Sequence, residues 1–177
     1  MNINYRSGYF WGVIFAIIYL IANVIALPII QNEMDKKLAT VDFSQFEMKN
    51  LNGEDVNLKG VANGKKVLLN FWSTWCGPCL AEFPVIQQSY EKTKDEYVYV
   101  MVSDEKMETI KKFKANNNYT FIFMQVKSFM EYGILSRPTT FILDSDLNIS
   151  KKITGTIPHE SGEDFNLFLK NLQFNVH

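Results

Sequence analysis

NFWSTWCGPCLAEFPVI, residues 70–86, carries both cysteines of the chain, Cys76 and Cys79. Two cysteines cannot build the disulfide scaffold of a small secreted domain, so the pair calls for a chemical explanation. A structural zinc site needs about four ligands. Besides this pair the chain offers only His159 and His177, both far along the sequence. Redox chemistry fits better. Before the pair, KKVLLNFW (65–72) is a continuous apolar run of the kind that forms a strand buried on both faces. Behind it, a helix is predicted from near Cys76 through SYEKTK (89–94). A sulfur at the first turn faces free backbone N–H groups and the positive end of the helix dipole, which stabilises a thiolate and makes Cys76 the attacking sulfur. Cys79 lies one turn further along the same face and can close a disulfide with little backbone movement. Gly77 permits close approach of another chain, and Pro78 suits a first helical turn. Pro84 removes the hydrogen bond to the Leu80 carbonyl and should kink the helix.

Outward from this segment, strands and helices alternate. FSQFEMKN (43–50) and EDVNL (54–58) read as a hairpin around Asn52-Gly53, where positive φ angles suit a tight turn. Asn63-Gly64 is a second turn. YVYVMVS (97–103) is a buried strand, and Asp104 is expected to cap a helix over EKMETIKKFKAN (105–116). YTFIFM (119–124) is a strand, and KSFMEYGI (127–134) a short helix closed near Gly133. Arg137-Pro138 leads into the strand TTFILD (139–144); a turn over Asp144–Asn148 leads to ISKKITGTI (149–157). Pro158 precedes an amphipathic helix, GEDFNLFLKNL (162–172). Such alternation implies an α/β fold, and the two hairpins make its sheet mixed.

The 177 residues suffice for one domain plus an appendage. A formal net charge of −1 gives no global field toward nucleic acid, and no lysine-arginine cluster sits on an aromatic platform. From Tyr9 to Ile30 there is no charged residue. Roughly 20 apolar residues at about 1.5 Å rise cross a hydrocarbon core of about 30 Å. Tyr9 and Trp11 stand at one end, where amphipathic rings prefer the interface. The alternative is a cleaved secretory signal, whose apolar region runs roughly 7–15 residues and ends at small residues. This run is longer and no clean A-x-A pattern follows, so an uncleaved single-span anchor is expected over 1–31. A polar linker over 32–40 and a domain over 41–177 should follow. Lysine and arginine barely discriminate orientation, but the very short N-terminal flank favours an extracytoplasmic domain.

Taken together, WCGPC after an apolar strand, Pro84 inside the helix and Pro138 before TTFILD resemble the thioredoxin fold. FWSTWCGPCLAEFP (71–84), RPTTFILD (137–144) and KKITGTI (151–157) resemble the membrane-anchored TlpA/ResA-type thiol-disulfide oxidoreductases, which include cytochrome c maturation reductases. The likeness covers residues 40 to 172, and EKMETIKKFKAN with YTFIFM matches that group's central insertion. It implies a thioredoxin-like domain with a mixed central sheet flanked by helices, an N-terminal hairpin and one preceding transmembrane helix. It further implies that Cys76 is the nucleophile, Cys79 the resolving thiol, and Pro138 a cis-proline facing the disulfide. Glu82 takes the place of the family's active-site glutamate, although a helix-surface carboxylate is the plain alternative. Asn70 stands where thioredoxin carries a buried aspartate; it cannot titrate, which leaves Glu82 as the candidate base. Substrate contact falls to Trp75, Gly77, Pro78, Arg137, Pro138 and Thr139. Trp72 and Trp75 read as packing and as a hydrophobic rim around Cys76. Arg137 departs from the pattern, where a smaller or uncharged residue is expected. It would stabilise the thiolate, select an acidic partner or point into solvent. The sequence shows no nucleotide-binding loop or flavin fingerprint, so the expected redox group is the Cys76–Cys79 pair itself, without metal or cofactor. Its expected partners are protein disulfides, apocytochrome c among them, and a membrane thiol donor. A dithiol oxidase, a peroxidase and a non-catalytic tethered binding module remain as alternatives.

Overall fold

A computed structural model of the chain describes residues 5–29, 43–158 and 161–172. The expected linker over 32–40, His159 and His177 lie outside the described residues. The chain divides into two units, residues 1–40 and 41–177.

In the first unit α1 spans Tyr5–Ile21 and runs on through a widened turn, Ala22–Ala26, where the Leu27 N–H donates to the Ala22 carbonyl five residues back. Pro28, which has no N–H and crowds the carbonyl four residues before it, follows directly. The Asn23 carboxamide is satisfied within the helix by donating to the Tyr19 carbonyl at 2.8 Å. Phe10–Ile29 is long and apolar enough to cross a membrane.

The second unit is built on seven strands: β1 (Glu47–Lys49), β2 (Asp55–Asn57), β3 (Lys66–Phe71), β4 (Tyr97–Ser103), β5 (Ile122–Gln125), β6 (Thr139–Leu143) and β7 (Ile149–Thr154). They form one mixed sheet in the order β2-β1-β5-β4-β3-β6-β7. β3, β4 and β5 are parallel, and every other pairing is antiparallel. This is the thioredoxin-like arrangement expected of the sequence. Period-two alternation sorts the residues of β3 and its continuation onto two cores. Leu68 and Trp72 join Phe83 and Ile86 of α3 (Gly77–Thr93), Ile110 of α4 (Met107–Ala115) and Phe165 and Leu169 of α5 (Gly162–Leu172). Phe71 points the other way, onto Phe46, Phe129 and Phe141.

Local chemistry explains where the elements depart from expectation. In the first hairpin only Gly53 adopts positive φ, at 88°. The loop is longer than a two-residue turn because the Asn50 side-chain oxygen accepts the N–H groups of Asn52 and Glu54, at 2.9 and 3.1 Å. A short helix not read from the sequence, α2 (Leu58–Ala62), is capped by Asn57 accepting the Gly60 N–H at 2.7 Å. It ends at Asn63 and Gly64, both left-handed, at φ 48° and 78°. KSFMEYGI yields one tight 3-10 turn, Phe129–Tyr132, closed by left-handed Gly133. Asp104 does not cap α4. That helix starts later, behind Lys106, with no side-chain cap.

Candidate active site

Three elements meet at the C-terminal end of β3. The Trp72 N–H donates to the Val102 carbonyl at 3.0 Å, so strand pairing continues to the edge of the cysteine loop. The chain then turns over Ser73–Cys76, closed by the Cys76 N–H on the Ser73 carbonyl at 3.1 Å. Cys76 caps α3 in extended conformation, its Sγ accepting the Cys79 N–H at 3.3 Å, with Pro78 in the first turn where its missing N–H costs no hydrogen bond. The two sulfurs are joined as a disulfide, with Cα atoms 5.3 Å apart. Cys76 and Cys79 are both buried.

The second wall is the loop before β6. The Arg137-Pro138 bond is cis. Phe71 pairs with Thr139, so this proline stands beside the strand end that launches the cysteine loop. The loop is fixed twice more: the Pro138 carbonyl accepts the Gly155 N–H at 2.9 Å, and the Thr139 hydroxyl donates to the Ser136 carbonyl at 2.9 Å.

Under the disulfide lies Glu82, one helical turn from Cys79 and buried, not on the helix surface. Its Oε1 accepts the Asn70 amide at 2.8 Å and its Oε2 the Ile157 N–H at 3.0 Å. The same Asn70 nitrogen donates to the Thr140 hydroxyl at 2.8 Å. Burial pushes the Glu82 carboxyl up to about 7, against the downward pull of the Ile157 and Asn70 hydrogen bonds. A carboxyl balanced there accepts or releases a proton near neutrality. Thr140 and the Ile157 N–H escaped the sequence reading. The only signal was Asn70 itself, a polar residue within the apolar run 67–71; Thr140 faces it across β3 and β6 only once the strands have paired.

Arg137 is neither in solvent nor a free cation. One guanidinium nitrogen donates to both oxygens of Asp104, at 2.9 and 2.7 Å. The guanidinium carbon also lies 4.5 Å from the Phe129 ring centroid and 5.0 Å from that of Trp75. Asp104, expected to be a helix cap, is thus engaged across the site. Trp75 remains 68% exposed beside Cys76, whereas Trp72 is fully buried against Phe83, Phe113 and Phe123. Among the described residues no three His, Cys, Asp or Glu side chains converge as a metal site.

Residues 40–152 match the model of the AhpC/TSA family. Among individual proteins, the thioredoxin-like protein YneN of Bacillus subtilis is 37% identical over 124 residues, covering 67% of this chain and 72% of YneN. The thiol-disulfide oxidoreductase ResA of Geobacillus thermodenitrificans is 33% identical over 153 residues, covering 81% of this chain and 87% of that one. The crystal structure of StoA from Bacillus subtilis superposes with a TM-score of 0.56 at 29% identity, over 70% of this chain and 95% of StoA. Matched over most of its length and carrying the disulfide at the head of α3, the chain belongs to the AhpC/TSA family, as a thioredoxin-like thiol-disulfide oxidoreductase of the ResA type.

Proposed function

We propose that the chain is a membrane-tethered reductase of protein disulfides that works outside the cytoplasm. The observation that carries the direction is the pairing of Arg137 with Asp104. A dithiol becomes a strong oxidant when its reduced form is heavily stabilised as a thiolate. Here the cation next to the cis-proline is already neutralised, leaving the start of α3 as the main stabiliser of the Cys76 thiolate. Modest stabilisation favours a reducing couple.

In the reaction, the Cys76 thiolate attacks one sulfur of the substrate disulfide and the other sulfur leaves as a thiolate. Cys79 then gives its proton to the Glu82 carboxylate and attacks Cys76 Sγ. The second substrate thiolate departs, and the Cys76–Cys79 disulfide forms. Two electrons have passed to the substrate, and Glu82 returns its proton to solvent or product. Exposed Trp75, Gly77 and Pro78, with half-buried Arg137, form the surface on which the substrate polypeptide lies, while buried Pro138 and Thr139 shape the loop beneath it. Recharging needs a two-electron thiol donor, and a membrane thiol carrier fits a tethered enzyme. The TlpA/ResA-type resemblance makes oxidised apocytochrome c the substrate to try first. The apolar helix Phe10–Ile29 supports the tether.

The test is the reduction potential of the pair in the full-length chain in detergent, alongside insulin reduction. A potential near thioredoxin's, about −270 mV, with insulin turnover agrees with a reductase. A potential near about −120 mV, with dithiol oxidation and no insulin turnover, would establish an oxidase instead.

A further inference from the structure

β4 ends at Ser103, and the next two side chains reach in different directions. Glu105 holds the cysteine loop: its two carboxylate oxygens accept the Thr74 N–H at 2.6 Å and the Thr74 hydroxyl at 2.7 Å. Thr74 lies two residues before Cys76. Asp104 holds the opposite loop through both of its oxygens on Arg137, the residue before cis-Pro138. The base of this dipeptide is itself anchored. The Glu105 N–H donates to the Ser103 hydroxyl at 3.2 Å, and the Glu105 carbonyl accepts the Gln125 amide of β5 at 2.8 Å. Trp75 then spans the gap from the cysteine loop, its ring over the guanidinium that Asp104 holds.

We propose that Asp104 and Glu105 are positioning residues. Glu105 acts through Thr74 and Asp104 through Arg137, and together they fix the separation of the Cys76 loop from the cis-Pro138 loop. That separation sets the enzyme's preference for polypeptide disulfides over small ones. The inference rests on the reductase reading above. A polypeptide must lie across both loops while one of its sulfurs reaches Cys76, so its binding senses their spacing. A small aromatic disulfide needs only access to Cys76. Misplacing a reacting group by about 1 Å can cost on the order of 100-fold in rate, so a modest drift of one loop suffices.

The experiment reduces the full-length chain in detergent with dithiothreitol, removes the excess, and compares maximal rate, half-saturation and their ratio in single turnover for insulin and for dithiobis(nitrobenzoate). Asp104→Ala and Glu105→Ala should each lower the efficiency on insulin by roughly 5- to 20-fold, mainly through half-saturation; Glu105→Ala should change the small disulfide by about twofold or less, and Asp104→Ala, which frees the Arg137 cation, should not slow it. Asp104→Asn and Glu105→Gln keep an acceptor for each loop and should recover most of the loss. The double alanine variant should be no worse than the poorer single one, because the spacing is lost once either hold is released; independent sites would multiply. Equal losses on both substrates, multiplying single effects, or variants that match the parent would each overturn the positioning role. A parent that turns over the small disulfide but leaves insulin intact overturns the reductase reading itself, and the polypeptide preference with it.

Discussion

Glu82 is ionised only against the preference of its surroundings. Its folded pKa of about 7 lies above the unfolded value of 4.5. Between those pH values the folded chain holds a proton that the unfolded chain has released, so Glu82 makes stability fall as pH rises from 4.5 to 7, and no further above that. The difference of 7 minus 4.5 is 2.5 units. At about 1.4 kcal/mol each, this amounts to roughly 3 kcal/mol. Glu82→Gln removes that dependence, at an offset of about 1 kcal/mol for rearranging the hydrogen bonds around the new amide. Thermal unfolding of the oxidised chain should therefore show the variant gaining on the parent between pH 4.5 and pH 8. Asn70 is built to accommodate both states. Among the described residues its Oδ1 is buried without a partner, so a rotated carboxamide would accept the proton of neutral Glu82. The same variant should slow resolution of the mixed disulfide and flatten the pH dependence of cysteine alkylation. Superimposable alkylation curves in variant and parent would reduce Glu82 to a buried structural carboxylate.

At the scale of elements, the active-site helix is held by its neighbour as well as by the sheet. α5 enters against α3 at Gly162, whose N–H donates to the Gln88 side-chain oxygen at 3.3 Å. One turn on, Asn166 accepts the Ser89 hydroxyl. A Cβ added at Gly162 would lie 2.9 Å from the Ser89 nitrogen and 3.0 Å from the Gln88 carbonyl carbon. Backbone atoms cannot rotate away, so α5 would have to shift. The helix-propensity gain of alanine is slight at a first helical position, and overpacking should win, with a net loss of about 1–3 kcal/mol for Gly162→Ala. Urea unfolding measures it, and an unchanged midpoint would mean that α5 yields freely. Helix α3 was legible because its signals are local: a buried strand, a cysteine at the first turn, a proline within. Asp104 was misread for the complementary reason. Its cap position is a local pattern, but an arginine 33 residues away along the chain, donating to both of its oxygens, outcompetes it. Local propensity carries no record of such a partner. Helix α2 went unread because five residues are too few for periodicity to show.

At the scale of the molecule, a mixed α/β sheet could be anticipated from alternating strands and helices with a hairpin at each end, though not its strand order, and the redox pair from the cysteine spacing. The partners of Glu82, Asn70 and Arg137 could not, since Ile157, Thr140 and Asp104 come together with them only after the sheet has closed. The first unit poses a simpler physical question. Phe10, Trp11, Phe15, Ile18, Tyr19, Leu20, Val24 and Ile29 are all more than half exposed. A helix apolar on every side has no face suited to water, whereas a bilayer solvates all of them and requires only that backbone groups pair internally. Even Asn23 meets that demand within its own helix. We therefore expect this helix to stay attached and to hold the redox domain outside the cytoplasm, where substrate disulfides persist. A carboxyl-terminal tag on the full chain should sediment with membranes at full length, resist extraction by alkaline carbonate, and be digested when protease is added outside cells stripped of their wall. A shortened soluble product would identify the segment as a cleaved signal. A full-length tag shielded from the protease would reverse the orientation, placing the disulfide in the reducing cytoplasm and removing the need for a membrane thiol donor.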